Sequence, residues 1–304
     1  MKKYDVILLT ESKYIAPNEI DDYTQNVLTE DALVKNALEK VGCKVKKIAW
    51  DNNSFDWSST HFALFRTTWD YFHRFDEFKS WLDHVNKKTK LINSYDQILW
   101  NIDKHYLQEI HRKGVNIPPS YFIKKNSKES LENIMLKMGW TKTVLKPTIS
   151  GAARHTYKID MENLSDHEII FKELIQREDF LLQEFQKQVI SKGEVAFMLY
   201  GGEYSHAILK KAKPGDFRVQ DDFGGTVHQY SPSQSEIQFA KNTVNSIAPI
   251  PTYARVDMIW DNNNQPAVSE IELIEPELWF RFNNASADLL AEKIVQKLKL
   301  EKLS

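Results

Sequence analysis

The stretch Ala254-Arg255-Val256-Asp257-Met258, followed after residues 261–265 by Ser269-Glu270-Ile271-Glu272-Leu273, decides how this chain is read. Residues 252–260 and 267–274 have the pattern of two strands. Asp261-Asn262-Asn263-Asn264-Gln265 between them is rich in residues that tolerate a turn. Side chains on a strand alternate faces, so Arg255 and Asp257 share one face, as do Glu270 and Glu272. A tight turn at Asn263-Asn264 sets Asp257 opposite Glu270 and Arg255 opposite Glu272. Three carboxylates and one guanidinium then meet on one patch. Like charges that close repel unless a cation lies among them. A set of hard oxygen donors without His or Cys suits Mg²⁺, with Mn²⁺ as a substitute. Val256, Met258, Ile271 and Leu273 occupy the other face and cover a core. Alternation alone is equally compatible with ordinary solvent-facing charges.

Upstream, Leu145-Lys146-Pro147 ends a strand and runs into Thr148-Ile149-Ser150-Gly151-Ala152-Ala153-Arg154. Small residues let a backbone approach an anion, and successive N–H groups can cradle phosphate beside a lysine charge. The spacing is not that of a Walker A loop, and a mobile loop after a surface lysine is the plainer reading. Lys104, in Asn101-Ile102-Asp103-Lys104, reads locally as a solvated helical lysine. Phe180-Leu181-Leu182-Gln183-Glu184-Phe185 is an apolar strand with two polar groups, and Glu194 begins the next strand. Such a slot suits a purine and its ribose as well as a core with a polar edge.

Around these segments the first third alternates strands and helices. Strands at residues 5–10, 44–50, 61–68 and 91–93 are separated by helices at 30–41, with Thr29 as its cap, and around 72–85. That rhythm implies a parallel sheet covered by helices. A helix over 97–113 capped by Asp96, a strand at 121–125, a helix over 128–138 capped by Ser127, and a strand at 143–147 make a small α/β lobe. From Phe180 onward the pattern is largely antiparallel, with a hairpin at Gly201-Gly202 and helices over 235–247 and 287–298. The predicted class is thus mixed α/β and α+β, in three parts: residues 1–95, 96–179 and 180–304.

The bulk numbers restrict the function classes. The 304 residues are 42% hydrophobic and 27% charged, with net charge -2, a globular profile without the basic excess that nucleic acid or an anionic membrane would attract. A single cysteine, Cys43, excludes an intrachain disulfide and reads as a small core residue. The N-terminal apolar run breaks at Thr10 and reads as a strand rather than a signal peptide, and no stretch has membrane-spanning length. A cytoplasmic protein is the expectation.

Taken in order, these pieces resemble the ATP-grasp superfamily over about two thirds of the chain, from Asn93 onward. Within it the sequence is similar to the glutathione-synthetase-like branch that includes cycloserine-forming cyclo-ligases. Arg66-Thr67-Thr68-Trp69-Asp70-Tyr71, Gly215-Asp216-Phe217-Arg218-Val219-Gln220 with Phe223-Gly224-Gly225, and Glu270-Ile271-Glu272-Leu273-Ile274-Glu275-Pro276 carry that closer likeness. The resemblance implies that Lys104 and Lys146 hold nucleotide phosphates and that Ser150 and Gly151 lie in a loop closing over ATP. It assigns Gln183, Glu184 and Phe185 to adenine and Glu194 to ribose. Asp257, Glu270 and Glu272 become Mg²⁺ ligands, although many relatives have Asn at the last position. Arg218 and Arg255 fall near the γ-phosphate and acyl phosphate, with Lys210 a weaker candidate.

The implied activity is a ligase that activates a small-molecule carboxylate with ATP and joins it to an amine, releasing ADP and phosphate. A cyclo-ligase of the cycloserine type, a peptide- or protein-modifying ligase and a non-catalytic nucleotide-binding regulator are the alternatives. Relatives often form dimers, so a homodimer is an open expectation. Arg66 or Arg74 could receive a substrate carboxylate, with Asp216 or Gln220 as further contacts, and an ordinary buried aromatic helix start explains residues 66–75 as well.

Overall fold

A computed structural model describes residues 2–151, 153–219 and 224–303; Gln220 and Phe223 lie outside them. Three sheets organise the chain. The first combines β1 (Tyr4–Thr10), β2 (Val45–Ala49), β3 (Thr60–Thr67) and β4 (Lys90–Ile92) in the order β2-β1-β3-β4, all parallel. Its crossovers carry α1 (Asp22–Lys40) and α2 (Phe75–Asn86). β1 and β3 are almost wholly buried, as strands covered on both faces must be. α1 starts earlier than Thr29, because Asp21 caps it by accepting from the Thr24 amide at 2.7 Å.

The segment predicted as one helix after Asp96 is two. Ser94, not Asp96, forms a capping box with Gln97 and starts α3 (Tyr95–Ile102); α4 (Tyr106–Arg112) follows after a break. Lys104 sits in the break, where its amide donates to Thr148 O at 2.9 Å instead of continuing the helix. The second sheet contains β5 (Ser120–Ile123), β6 (Lys142–Pro147), β7 (Tyr157–Asp160) and β8 (Phe180–Glu184), ordered β5-β8-β6-β7 and antiparallel. α5 (Leu131–Met138), capped by Ser130 rather than Ser127, and α6 (Leu164–Leu174) cover it. Residues 180–184, which open the last segment in the sequence reading, pair here instead. Their partner residues on β5 and β6 lie 33 to 63 residues upstream, and no local pattern marks them.

After α7 (Gln188–Lys192), the third sheet takes β9 (Glu194–Tyr200), β10 (Glu203–Lys211), β11 (Thr226–Tyr230), β12 (Tyr253–Trp260) and β13 (Pro266–Glu272), in the order β11-β10-β9-β12-β13. α8 (Gln234–Asn245), started by a Ser233–Glu236 capping box, covers one face. α9 (Ala285–Leu303) covers the other and packs with α1 against β1 and β3, so one apolar cluster runs from the first sheet into the third. Among the described residues no helix is long and apolar enough to cross a membrane.

One polar anchor fixes the junction between the first and third sheets, and a second ties β10 to the segment after β13. Asn93, 1% exposed, donates to Tyr253 O (2.8 Å) and Leu273 O (2.9 Å) and accepts from the Thr252 amide (2.6 Å). His206 on β10 bonds Leu278 O at 3.0 Å, and burial pushes its imidazole down to about 4.

Asn93→Ala leaves three buried backbone groups short of a partner, so its unfolding free energy should fall by about 2–5 kcal/mol; a loss under about 1 kcal/mol in denaturant titration contradicts the anchor. His206 supplies a pH test. Between about pH 6.5 and 4 the unfolded chain binds a proton at this histidine and the native one does not. Its contribution is therefore complete above pH 6.5 and is lost on acidification, by up to about tenfold in the folding constant per pH unit. His206→Gln should remove that slope; parallel wild-type and variant curves across this window would exclude it.

Candidate active site

The register of β12 and β13 brings the acidic residues together. Asp257 pairs with Glu270 and Arg255 with Glu272, with a bulge between Asp257 and Met258, as the strand alternation predicts. β13 is the outer strand of its sheet, and helix side chains replace its missing neighbour. The Tyr106 hydroxyl accepts from the Ile271 amide (2.8 Å) and donates to Ile271 O (3.1 Å), while Asn101 binds Ile271 O (2.8 Å) and the Leu273 amide (2.7 Å). The carboxylates therefore project from a strand held on both edges.

Basic groups lace this patch. Arg255 donates from Nε to Asp257 Oδ1 and from Nη2 to Asp257 Oδ2, both at 2.9 Å, and also contacts Glu272. Lys210 bridges Glu194 (2.7 Å) and Asp257 (2.9 Å), and Lys104 pairs with Glu270 at 3.1 Å. Trp279, in a left-handed conformation (φ 45°), lies under the Lys210 and Arg255 cations. Burial raises the Asp257 carboxyl, but Arg255 and Lys210 outweigh it and hold it low; Lys104 and Lys146 do the same for Glu270. Burial likewise lowers Lys210, and Asp257 and Glu194 more than reverse it. Glu272 ends differently. Burial, with the charges of Asp257 and Glu270, pushes it up to about 7 despite Arg255. The cluster is short of positive charge at Glu272, which suits an added hard cation. The carboxylates are nevertheless spread among their basic partners, and among the described residues no three acidic, His or Cys side chains already stand as a metal cage.

This patch lines a cavity of about 260 Å³ between the second and third sheets. Lys146, from the end of β6, faces it; burial pulls the ammonium down, and it makes no hydrogen bond or ion pair among the described residues. A half-buried lysine without a partner among the described residues is suited to an anionic ligand. Beside it the loop after β6 is folded down: Lys104 Nζ donates to Ser150 O at 2.7 Å, and Gly151 lies against Phe72 so closely that a Cβ would come within 2.7 Å of the ring. Gln183, Glu184 and Phe185 line the far end with Val144 and Ile259, and Glu194 stands between that end and the acidic patch, held by Lys210 and Ser269.

The structure thus brings Lys104, Lys146, Ser150, Gly151, Gln183, Glu184, Phe185, Glu194, Lys210, Arg218, Arg255, Asp257, Glu270 and Glu272 to one cavity. Arg218 lines it from the loop after β10 and is salt-bridged to Asp216 (2.7 Å). Arg66 and Arg74 are absent from the lining. Arg66 is buried with its Nε 3.5 Å from Asp31 and its guanidinium over Phe280, and Arg74 is tied to Asp51, Asp70 and Glu77. Tyr71 and Glu275 line the cavity instead. Nothing local separated them from their neighbours: Tyr71 lies in a run of aromatics and Glu275 follows four acidic or apolar residues of a strand end.

Residues 6–93 match the family described as D-cycloserine synthetase DcsG, N-terminal domain. Over 283 residues the chain is 25% identical to the cycloserine biosynthesis protein DcsG of Streptomyces lavendulae, covering 86% of this chain and 92% of that protein. The crystal structure of D-cycloserine synthetase DcsG superposes with a TM-score of 0.83 at 22% identity, over 96% of this chain and 99% of that one. D-Alanine–D-alanine ligase from Bacillus anthracis complexed with ATP gives 0.63 at 12% identity, with 97% of each chain covered. The ATP-grasp ligase PsnB complexed with a phosphomimetic variant of its minimal precursor, Mg and ADP gives 0.65 at 13%, covering 98% and 100%. The chain is therefore a protein of the ATP-grasp fold whose residues 6–93 match the family of the DcsG N-terminal domain.

Proposed function

We propose that this ATP-grasp protein is an ATP- and Mg²⁺-dependent ligase that activates a small-molecule carboxylate and couples it to an amine. The observation carrying this reading is the convergence of Asp257, Glu270 and Glu272 with Lys104, Lys146, Lys210 and Arg255 on one cavity. Adenine fits the apolar slot at Gln183–Phe185 and ribose the carboxylate of Glu194. Lys146 and Lys104, with the amides of the loop at Ser150 and Gly151, bind the phosphates. Asp257, Glu270 and Glu272 hold Mg²⁺, or Mn²⁺ in its place, and the bound ion neutralises phosphate charge.

In the proposed reaction a substrate carboxylate oxygen bonds to the γ-phosphorus as the bond to the ADP oxygen breaks. Arg255 and Arg218 stabilise the negative charge that gathers there, and Lys210 keeps Asp257 ionised. The amine nitrogen then attacks the acyl carbon, phosphate leaves, and the nitrogen loses a proton. Water would hydrolyse the acyl phosphate, and the contact of Gly151 with Phe72 keeps the loop over the cavity. Where carboxylate and amine belong to one molecule, the same steps close a ring; the N-terminal domain match favours that version. A cavity of about 260 Å³ favours small substrates over a folded protein.

Glu270→Gln keeps the shape of the side chain and removes its charge. Its Mg²⁺-dependent ADP release, assayed with mixed amino acids, should fall by about 10²–10³-fold, while thermal unfolding shifts by only a few degrees. Wild-type turnover in this variant would remove Glu270 from the chemistry, and collapse of its stability would place it in the fold instead.

A further inference from the structure

Past the acidic patch the cavity ends at Glu275 and Tyr71, which the nucleotide reading leaves without a task. Glu275 is fixed from two sides. Its carbonyl accepts from Trp69 Nε1 at 2.9 Å, and Trp69 is itself packed against Tyr14 and Tyr23. Its carboxyl faces the buried Tyr71 hydroxyl. The preceding residue, Ile274, packs into the apolar core of the N-terminal domain.

The charge balance at this end is uneven. Glu194, Asp257, Glu270 and Glu272 each have a Lys or Arg within ion-pair distance. Glu275 has none among the described residues, and the groups that face it are Tyr71, the Glu272 carboxyl and, farther off, Arg255. Burial, with the Glu272 charge, pushes it up to about 8. A carboxyl held in place and lacking a cation is a receptor for one. Along the chain it follows Glu272, on the side away from Ala267 and its partner Ile259, which lines the apolar slot.

We propose that Glu275, positioned by Tyr71, receives the ammonium group of the substrate and determines specificity at that end of the cavity. The assignment rests on the ligase reading for the identity of the molecule that enters. It requires a substrate carrying an ammonium group in addition to its reacting carboxylate, and it places recognition of that group on a segment clamped by the N-terminal domain.

The test is a titration on protein saturated with Mg²⁺ and AMPPNP, a nucleotide that blocks turnover. The probes are D- and L-alanine and D- and L-serine, each paired with the 2-hydroxy acid of the same side chain, lactate or glycerate. In the wild type at least one amino acid should bind about 10- to 100-fold more tightly than its hydroxy partner. Glu275→Gln should shrink that preference to within about threefold and leave AMPPNP affinity unchanged. Tyr71→Phe, which frees the carboxyl without removing it, should lower the preference by about 2- to 10-fold and guards against a folding failure of the first variant. Preference surviving both substitutions, equal binding of amino and hydroxy acids, or no binding of any amino acid overturns the assignment. ADP release with ATP is measured separately. Binding governed by Glu275 without ADP release sinks the ligase reading alone, and ADP release with undiminished preference sinks the Glu275 assignment alone.

Discussion

Two neighbouring strands set a buried Asp257 beside the half-buried Glu270 and Glu272, where water screens their charges only in part. Everything near them answers that constraint. Arg255 and Lys210 neutralise Asp257, Lys104 neutralises Glu270, and Trp279 supports the two cations closest to the strands. The balance stays incomplete at Glu272, which is pushed up to about 7. Burying paired charges is weak evidence for stability, because desolvation offsets most of the attraction. A half-exposed cluster of paired charges that lines a cavity is better understood as a place prepared for a ligand than as a device of the fold.

The rest of the molecule keeps that cluster in position. Tyr106 and Asn101 hold the edge of β13, so helices from the start of the second lobe define where the carboxylates of the third sheet point. Asn93 and Tyr253 tie the same strands to the parallel sheet; the Tyr253 hydroxyl bonds Ile92 O (3.1 Å) and Ile274 O (2.6 Å). The loop at Ser150 and Gly151 rests on Lys104 and Phe72. A displacement of the N-terminal domain would thus be felt at the loop, at the strand end carrying Glu275, and at the acidic patch.

Local pattern was informative where chemistry and periodicity coincide. The register Asp257–Glu270 and Arg255–Glu272 follows from two-residue alternation and one turn rich in Asn, and the parallel first sheet follows from alternating strands and helices. Long-range pairing was not legible. β8 looked like the start of the antiparallel segment because its apolar run does not record which strands lie beside it. The helix break at Lys104 depends on a bond to Thr148, 44 residues away, so a continuous helical pattern conceals a buried lysine that lines the cavity. Arg66 and Arg74 are guanidinium groups in an aromatic-rich run, yet Asp31 lies beside Arg66, and Asp51, Asp70 and Glu77 engage Arg74. Glu275 stands in a phrase that carries the family resemblance, but what singles it out, the lack of an ion-pair partner among the described residues, is a property only three dimensions display.

The central claim is that these three acidic side chains grip a divalent ion beside the terminal phosphate of a nucleotide. Crystallography of the protein grown with ADP and Mg²⁺ tests it most directly. The account predicts an ion at about 2.0–2.1 Å from carboxylate oxygens of Asp257, Glu270 and Glu272, shared with phosphate oxygens. Carboxylates still paired only with Arg255, Lys210 and Lys104, and turned away from the nucleotide, would contradict it.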